Sequence, residues 1–122
     1  MAEPAAAPVS RAQPPLYRLK ADFFKLLGHP VRVRVIELLH DGERTVGDLQ
    51  QELGLDSSGT SQHLGALRRQ GILATRRDGT SVYYRVSDPR IFQLLAVAKQ
   101  ILGAQLEATS ALLAELNDAA PH

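Results

Sequence analysis

The sequence predicts a mainly α-helical fold with one small β-hairpin. Three observations support this prediction. Apolar residues recur at helical spacing over residues 16–27 and again over residues 91–116. Gly54 separates two short helical segments, and glycine tolerates the backbone conformation of a sharp turn between helices. Stretches with alternating apolar and polar residues flank Asp78-Gly79, a dipeptide that is a strong sequence signal for a β-hairpin.

The composition limits the size and class of the protein. The chain of 122 residues has room for one domain, and a hydrophobic content of 44% is enough for a modest core. It contains no cysteine, which excludes disulfides, thiolate metal sites and thiol redox sensing, and which fits a reducing compartment. The N-terminal sequence MAEPAAAPVSRAQPP has no long apolar run, so we expect neither a signal peptide nor a membrane span. We therefore expect a cytoplasmic protein without a membrane partner.

Turn signals and changes in composition predict the element boundaries. Residues 1–15 contain four prolines and little apolar patterning, so we predict a disordered N-terminal arm. Residues 16–118 form the predicted folded domain, and residues 119–122 form a flexible tail. About five helices are predicted, and they cover residues 16–27, 30–39, 45–53, 57–70 and the chain after Asp88-Pro89.

Residues 45–87 combine a helix, a tight turn, a second helix and a two-stranded ribbon. This order predicts a winged helix-turn-helix, in which the second helix enters the major groove of DNA. Thr45 is the predicted N-cap of the first helix, and small polar residues fill the first turns of the second. Gly59, in those turns, is a poor helix former, which we ascribe either to close approach of DNA or to local flexibility.

Positive charge is concentrated on this segment. The whole chain has a formal net charge of +1, whereas residues 57–87 hold five arginines against Asp78 alone. Binding to a phosphate backbone requires such a local excess of cations. The hairpin projects Arg76, Arg77 and Thr80 towards a minor groove or phosphates in this interpretation. A solvated basic face without a ligand is the alternative.

The last predicted helix has an apolar stripe that is too long for one small core to cover. We therefore predict a homodimer fastened by the two terminal helices. Packing of the whole stripe inside one chain is the alternative. The predicted dimer-interface residues are Leu16, Leu19, Phe23, Ile91, Leu94, Leu95, Ala98, Ile101 and Leu102.

Four segments of the sequence resemble the ArsR family of bacterial winged-helix transcriptional repressors: LLGHPVRVRVIELL, TVGDLQQELGL, SQHLGALRRQGIL and RRDGTSVYYRVSDPRI. The similar region covers roughly residues 20–101. The resemblance implies a dimer that binds an inverted-repeat operator in promoter DNA and leaves it when an inducer binds. We assign both DNA binding and dimerisation to residues 16–118, the predicted folded domain.

The resemblance further implies which residues contact DNA. Those implied to approach base edges are Ser57, Ser58, Ser61 and Gln62. Those implied to hold phosphates are His63, Arg68, Arg76 and Arg77. Gln62 is the residue best able to make a paired contact to adenine. A structural role for His63, packed under the wing, is an equal alternative.

The sequence departs from the metal-responsive members of the family that it resembles. Members that bind soft metals have cysteines where this chain has Thr45 and Gly47. Members that bind zinc, nickel or cobalt on the last helix use an aspartate and three further ligands. This chain retains Asp88, and the other three positions hold Arg90, Ile101 and Ala104. The histidines lie in different predicted elements without ligand spacing: His29, His40, His63 and His122. We therefore expect no metal and no other cofactor.

The inducer is then an organic molecule, another protein, or absent. An apolar cleft between the terminal helices, near Phe23, Phe24, Phe92 and Leu95, is a hypothetical small-molecule site.

Two other classes of function are weighed against DNA binding. An enzyme is not expected, because the sequence has no cysteine nucleophile, no glycine-rich phosphate loop and no recognisable acid–base pair beside a serine. A winged-helix module that docks a protein without sequence-specific DNA binding is the more serious alternative. Protein docking favours exposed aromatic residues, whereas the helix 57–70 and the hairpin tip offer serine, glutamine, arginine and threonine.

Overall fold

The computed structural model describes residues 13–119. Within that range the chain forms five helices and three strands. In chain order they are α1 (Leu16–Leu27), α2 (Pro30–Leu38), β1 (Arg44–Thr45), α3 (Val46–Leu53), α4 (Ser57–Arg69), β2 (Leu73–Asp78), β3 (Ser81–Val86) and α5 (Arg90–Ala119). The predicted mainly α-helical fold with a small hairpin is confirmed.

The hairpin β2–β3, hereafter the wing, is joined by a third strand that the sequence did not predict. Strand β1 pairs with β3 in an antiparallel sheet of order β1-β3-β2, with Thr45 opposite Tyr83. A strand of two residues is too short to show alternation, so its pairing is visible only in three dimensions. In the wing, Asp78 pairs with Ser81, which leaves Gly79 and Thr80 as the loop. The predicted strands, residues 72–77 and 81–87, left residues 78–80 as the loop, so the first strand extends one residue further than predicted. Gly79 adopts a φ of 64°.

Side-chain caps fix the starts of the three helices that lead up to the wing. The Thr45 hydroxyl accepts a hydrogen bond from the backbone N–H of Asp48 at 3.1 Å, which confirms the predicted cap of α3. The Asp56 carboxylate caps α4 by accepting from the N–H of Gly59 at 2.7 Å. The cap of α2 is His29, whose Nδ1 accepts from the N–H of Val31 at 3.1 Å.

Gly54 makes the turn between α3 and α4. Its φ of 66° lies in the left-handed region, and its N–H donates to the carbonyl of Gln50 at 3.0 Å. A residue with a Cβ is strained in that conformation by roughly 1–2 kcal/mol. The predicted tight turn at Gly54 is therefore confirmed.

The core of the unit that ends at Ser87 holds α2, α3 and α4 together. Its fully buried apolar side chains include Ile36 from α2, Leu49 from α3 and Leu67 from α4. Burying each such side chain contributes about 1.5–3 kcal/mol. Thr60 of α4 is also buried, and its hydroxyl donates to the carbonyl of Asp56 at 2.9 Å, so its polar group is satisfied.

The second compact unit begins at Asp88 and contains α5, a helix of 30 residues. The Asp88 carboxylate accepts from the backbone N–H of Arg90 at 3.0 Å and from the Arg90 guanidinium, with the shortest N···O distance at 2.6 Å. These bonds, the side-chain bond first, lower the pKa of Asp88 to about 2. Most apolar side chains of the rest of α5 are exposed, Leu106 and Leu116 among them.

Parts of the predicted terminal segments lie outside the described residues. The N-terminal arm was placed at residues 1–15, of which residues 1–12 are not described, and the tail at residues 119–122, of which residues 120–122 are not described. Helix α5 includes Ala119. Between residues 13 and 119, the helices are all too short or too polar to span a membrane.

Candidate nucleic-acid interface

One face of helix α4 is buried in the core, and another face is exposed to solvent. Its buried face consists of Thr60, Leu64 and Leu67. The residues implied to approach base edges are all exposed in the first two turns: Ser57, Ser58, Ser61 and Gln62. The start of α4 is therefore a small polar surface that the core supports from behind.

Gly59 lies close to the side chain that caps α4. A Cβ built on Gly59 would meet the Asp56 Oδ1 atom at 3.0 Å, and that same oxygen caps the helix. A larger residue here would need the flexible Asp56 side chain to shift by a few tenths of an ångström. This contact adds a mild preference for glycine to the two explanations that the sequence suggested.

His63 follows Gln62 and turns away from the polar surface. It is half-buried, its Nδ1 accepts a hydrogen bond from Arg32 Nε at 3.1 Å, and its ring centroid lies 4.3 Å from that of His29. Burial first, then the charges of His29 and Arg32, lower the pKa of His63 below its ordinary value of 6.5. A neutral imidazole is a weak phosphate ligand, so this environment favours the structural alternative. The contacting residues come from α2 and its cap rather than from the wing.

His29 and His63 belong to different elements, as the sequence indicated, yet their rings lie side by side. The cap of α2 and helix α4 bring them together. Even so, no group of three histidine or acidic side chains able to hold a metal ion is found between residues 13 and 119. His122 lies outside the described residues.

Arg76 of the wing already interacts with other residues of the chain. Its Nε lies 2.6 Å from Glu43 Oε1, its guanidinium carbon lies 4.5 Å from the centroid of the Tyr83 ring, and a second nitrogen lies 4.0 Å from Asp78. The hydrogen bond to Glu43 is the main cause that raises the pKa of Arg76. The Arg76 side chain is 47% exposed, so it reaches solvent while it is held. A phosphate would have to compete with Glu43 for this cation.

Other cations near the polar surface have no such partner. Arg68 in the last turn of α4 and Arg77 in the wing are exposed, and neither lies within 4 Å of a carboxylate of the described chain. Thr80 is exposed in the loop of the wing. Of the three arginines implied to hold phosphates, Arg68 and Arg77 therefore offer their charge to a ligand more readily than Arg76 does.

The predicted dimer-interface residues differ in exposure within the single chain. Leu16, Leu19, Ala98, Ile101 and Leu102 are exposed. Phe23, Leu94 and Leu95 are half-buried. Ile91 is 7% exposed and is buried without any second chain.

Comparison with known proteins shows the same architecture in bacterial regulators. A family model described as a helix-turn-helix domain matches residues 27–76. The HTH-type transcriptional regulator Rv0081 of Mycobacterium tuberculosis is 50% identical over 103 residues, which cover 84% of this chain and 90% of Rv0081. Its crystal structure matches with a TM-score of 0.74 and covers 80% of this chain and 99% of that one, at 48% identity.

Two further relatives extend the comparison. The biofilm growth-associated repressor of Xylella fastidiosa is 39% identical over 85 residues, covering 70% of this chain and 75% of that protein. The homodimeric winged helix-turn-helix DNA-binding domain Mb0332 of Mycobacterium bovis, described as a possible ArsR-family regulator, matches with a TM-score of 0.65 at 30% identity. That match covers 72% of this chain and 82% of the solved fragment of Mb0332. The chain belongs to the ArsR family of winged helix-turn-helix transcriptional regulators. The resemblance in the four sequence segments is thereby confirmed.

In this ArsR-family regulator, two of the residues that the sequence analysis compared with metal ligands have partners within the chain. The Thr45 hydroxyl caps α3, and the Asp88 carboxylate is bound by Arg90. Both groups lie at the starts of helices.

Sequence reasoning missed Arg32, Glu43 and Tyr83. Arg32 is separated from His63 by 31 positions, and Glu43 from Arg76 by 33 positions. No local pattern links residues so far apart. The one available signal was the apolar setting of Arg32 in the segment VRVRV, which predicts that its stem is partly buried.

The lowered pKa of His63 predicts a loss of stability in mild acid. The unfolded chain takes up a proton on His63 near pH 6.5, before the folded chain does, so the free energy of unfolding falls as the pH drops below about 6.5. We expect the melting temperature of the native protein to fall more between about pH 7.5 and pH 5.5 than that of His63→Gln. Equal losses in thermal unfolding would show that His63 does not carry this dependence.

Proposed function

We propose that this regulator is a dimeric repressor that binds an inverted-repeat operator, with α4 in the major groove and the wing against the flanking backbone. The observation that carries the proposal is the exposed polar start of α4, supported from behind by Leu64 and Leu67. A major groove about 12 Å wide admits a helix that is presented in this way. DNA binding and dimerisation are both assigned to residues 16–118, and the protein acts in the cytoplasm.

Base recognition is assigned to the first two turns of α4. The residues proposed to approach base edges are Ser57, Ser58, Ser61 and Gln62. The Gln62 amide offers one donor and one acceptor to adenine, a pairing that contributes about 1–3 kcal/mol of discrimination. The serine hydroxyls are short and accept or donate, so they tolerate several bases and let the helix approach closely.

Backbone contacts are assigned mainly to Arg68, Arg77 and Thr80. Their exposure and the absence of a nearby carboxylate support this for the two arginines. Arg76 contributes only to the extent that a phosphate displaces Glu43. His63 is assigned to positioning α4 rather than to a phosphate, because its Nδ1 already accepts from Arg32.

Dimerisation is assigned to the exposed apolar side chains of α1 and α5. Leu16 and Leu19 on α1, and Ile101 and Leu102 on α5, are each about half or more exposed in the single chain. Exposure of apolar surface to water costs roughly 25 cal/mol of free energy per Å². In a two-fold interface both subunits use the same surface patch, so the same patch of a second copy covers these residues. The inducer is an organic molecule or a protein rather than a metal ion, and no catalytic role is proposed.

Replacement of Arg77 tests the contacts of the wing with phosphate. In a dimer, Arg77→Ala removes one phosphate contact from each subunit, so the slope of log K against log salt becomes shallower by about 2. Arg76→Ala has a smaller effect, because Glu43 already balances the charge of Arg76 in the free protein. Fluorescence anisotropy with duplex DNA between about 50 and 200 mM salt measures both slopes.

Arg34→Ala is the matched control for this measurement. Arg34 is an exposed arginine of α2 that pairs with Glu37 at 3.4 Å, and it is not assigned to the interface. The slope of log K against log salt for Arg34→Ala should equal that of the native protein. If Arg77→Ala also had the native slope, the assignment of the wing to the DNA interface would be wrong.

A charge at Ile101 tests the proposed dimer. Ile101 is 55% exposed in the single chain, so Ile101→Glu should leave the fold of each subunit intact while placing a carboxylate in the interface. We expect sedimentation to show a shift from dimer to monomer, with a parallel loss of DNA affinity. Gln100→Glu, an exposed neighbouring position on α5, makes the same change of charge and is the control. If the Ile101→Glu variant remained a dimer, the proposed interface would be refuted.

A further inference from the structure

A cavity of about 530 Å³ lies beside α1 in the unit that ends at Ser87. Its apolar lining comes from Leu19, Phe23, Leu26 and Ile72. This volume falls within the range of about 300–1,000 Å³ that is usual for small-molecule sites. Of the four residues of the cleft expected from sequence, only Phe23 lines this cavity.

The charged lining of the cavity favours an anion. Lys25 and Arg32 line it together with one carboxylate, Asp22. Within residues 13–119, neither Lys25 nor Arg32 lies within 4 Å of a carboxylate. Arg32 is half-buried, and a cation that is partly removed from water gains most from a bound counter-ion.

Arg32 connects the cavity to α4. Its Nε donates to His63 Nδ1 at 3.1 Å, and one terminal nitrogen donates to the carbonyl of Leu26 at 3.3 Å. A guanidinium has five N–H donors, so three remain for a ligand. They lie in the plane of the guanidinium, a geometry that suits a carboxylate.

We propose that this cavity binds a small organic monocarboxylate with an apolar body, and that this ligand is the inducer. The carboxylate binds Arg32 and Lys25, and the apolar body contacts Phe23, Leu26 and Ile72. The binding site stands on the cavity and its charges alone, whereas the role as inducer rests on the proposed function in DNA binding.

One hydrogen bond, from Arg32 to His63, links the ligand site to the DNA-binding surface. A carboxylate that draws the Arg32 guanidinium into the cavity weakens its bond to His63. His63 directly follows Gln62 on α4, so the helix loses a restraint next to the residue assigned to base recognition. Ligand binding and DNA binding therefore oppose each other, with a coupling of the usual size for such systems, about 5-fold to 150-fold in affinity.

Thermal unfolding of the 122-residue chain tests the site without DNA. The probes are benzoate, 4-phenylbutyrate and octanoate, each compared with its neutral amide. We expect at least one acid to raise the melting temperature by several degrees and its amide to have no effect. Lys25→Gln should reduce the shift. Lys20→Gln is the matched control, because Lys20 is an exposed lysine of the same helix that does not line the cavity, and it should retain the native shift.

Two further measurements test the coupling with the acid that gives the largest shift. That acid should weaken DNA binding in fluorescence anisotropy, and it should move the imidazole ¹⁵N resonances of His63, while its amide does neither. No stabilisation by any of the three acids, or equal stabilisation by acid and amide, would overturn the site. Stabilisation with unchanged His63 resonances would overturn the coupling. Failure of the free protein to bind DNA would overturn the proposed function and leave the ligand result standing.

Discussion

The packing of Ile36, Leu49, Leu64 and Leu67 is the constraint on which the rest of the structure depends. These four side chains from α2, α3 and α4 are almost completely buried, so they fix how α4 leaves the turn at Gly54. Everything proposed for the surface of α4 requires that orientation, because a helix held by its apolar face can present only the opposite face. The polar start of α4 is thus a consequence of packing as much as of its own composition.

Polar residues around this core divide into two groups with different tasks. Arg32 and His63 hold each other, as do Glu43 and Arg76, and each pair joins segments that are distant in sequence. Other polar residues, such as Arg77, have no such partner among the described carboxylates and remain available to a ligand. A side chain that already has a partner within the chain must exchange it before it binds DNA. Counting arginines in a sequence therefore overestimates the charge that is offered to phosphate.

The sequence predicted those features whose causes are local. The cap at Thr45 and the turn at Gly54 involve residues only three or four positions apart, and both were predicted correctly. The wing was predicted, but Asp78 was assigned to its loop although it pairs with Ser81, because a strong Asp-Gly signal does not fix which residues pair. Strand β1 and the pairing of His29 with His63 were missed, since each depends on segments brought together by the whole fold.

Selection of bound duplexes from a random DNA library tests the central claim, that paired copies of α4 recognise one operator. The native protein should enrich an inverted repeat whose half-sites are centred about 10 base pairs apart or a small multiple of that distance, since each half-site meets one subunit on the same face of the duplex. Enrichment of a single unrepeated site, or of no sequence at all, would contradict the account.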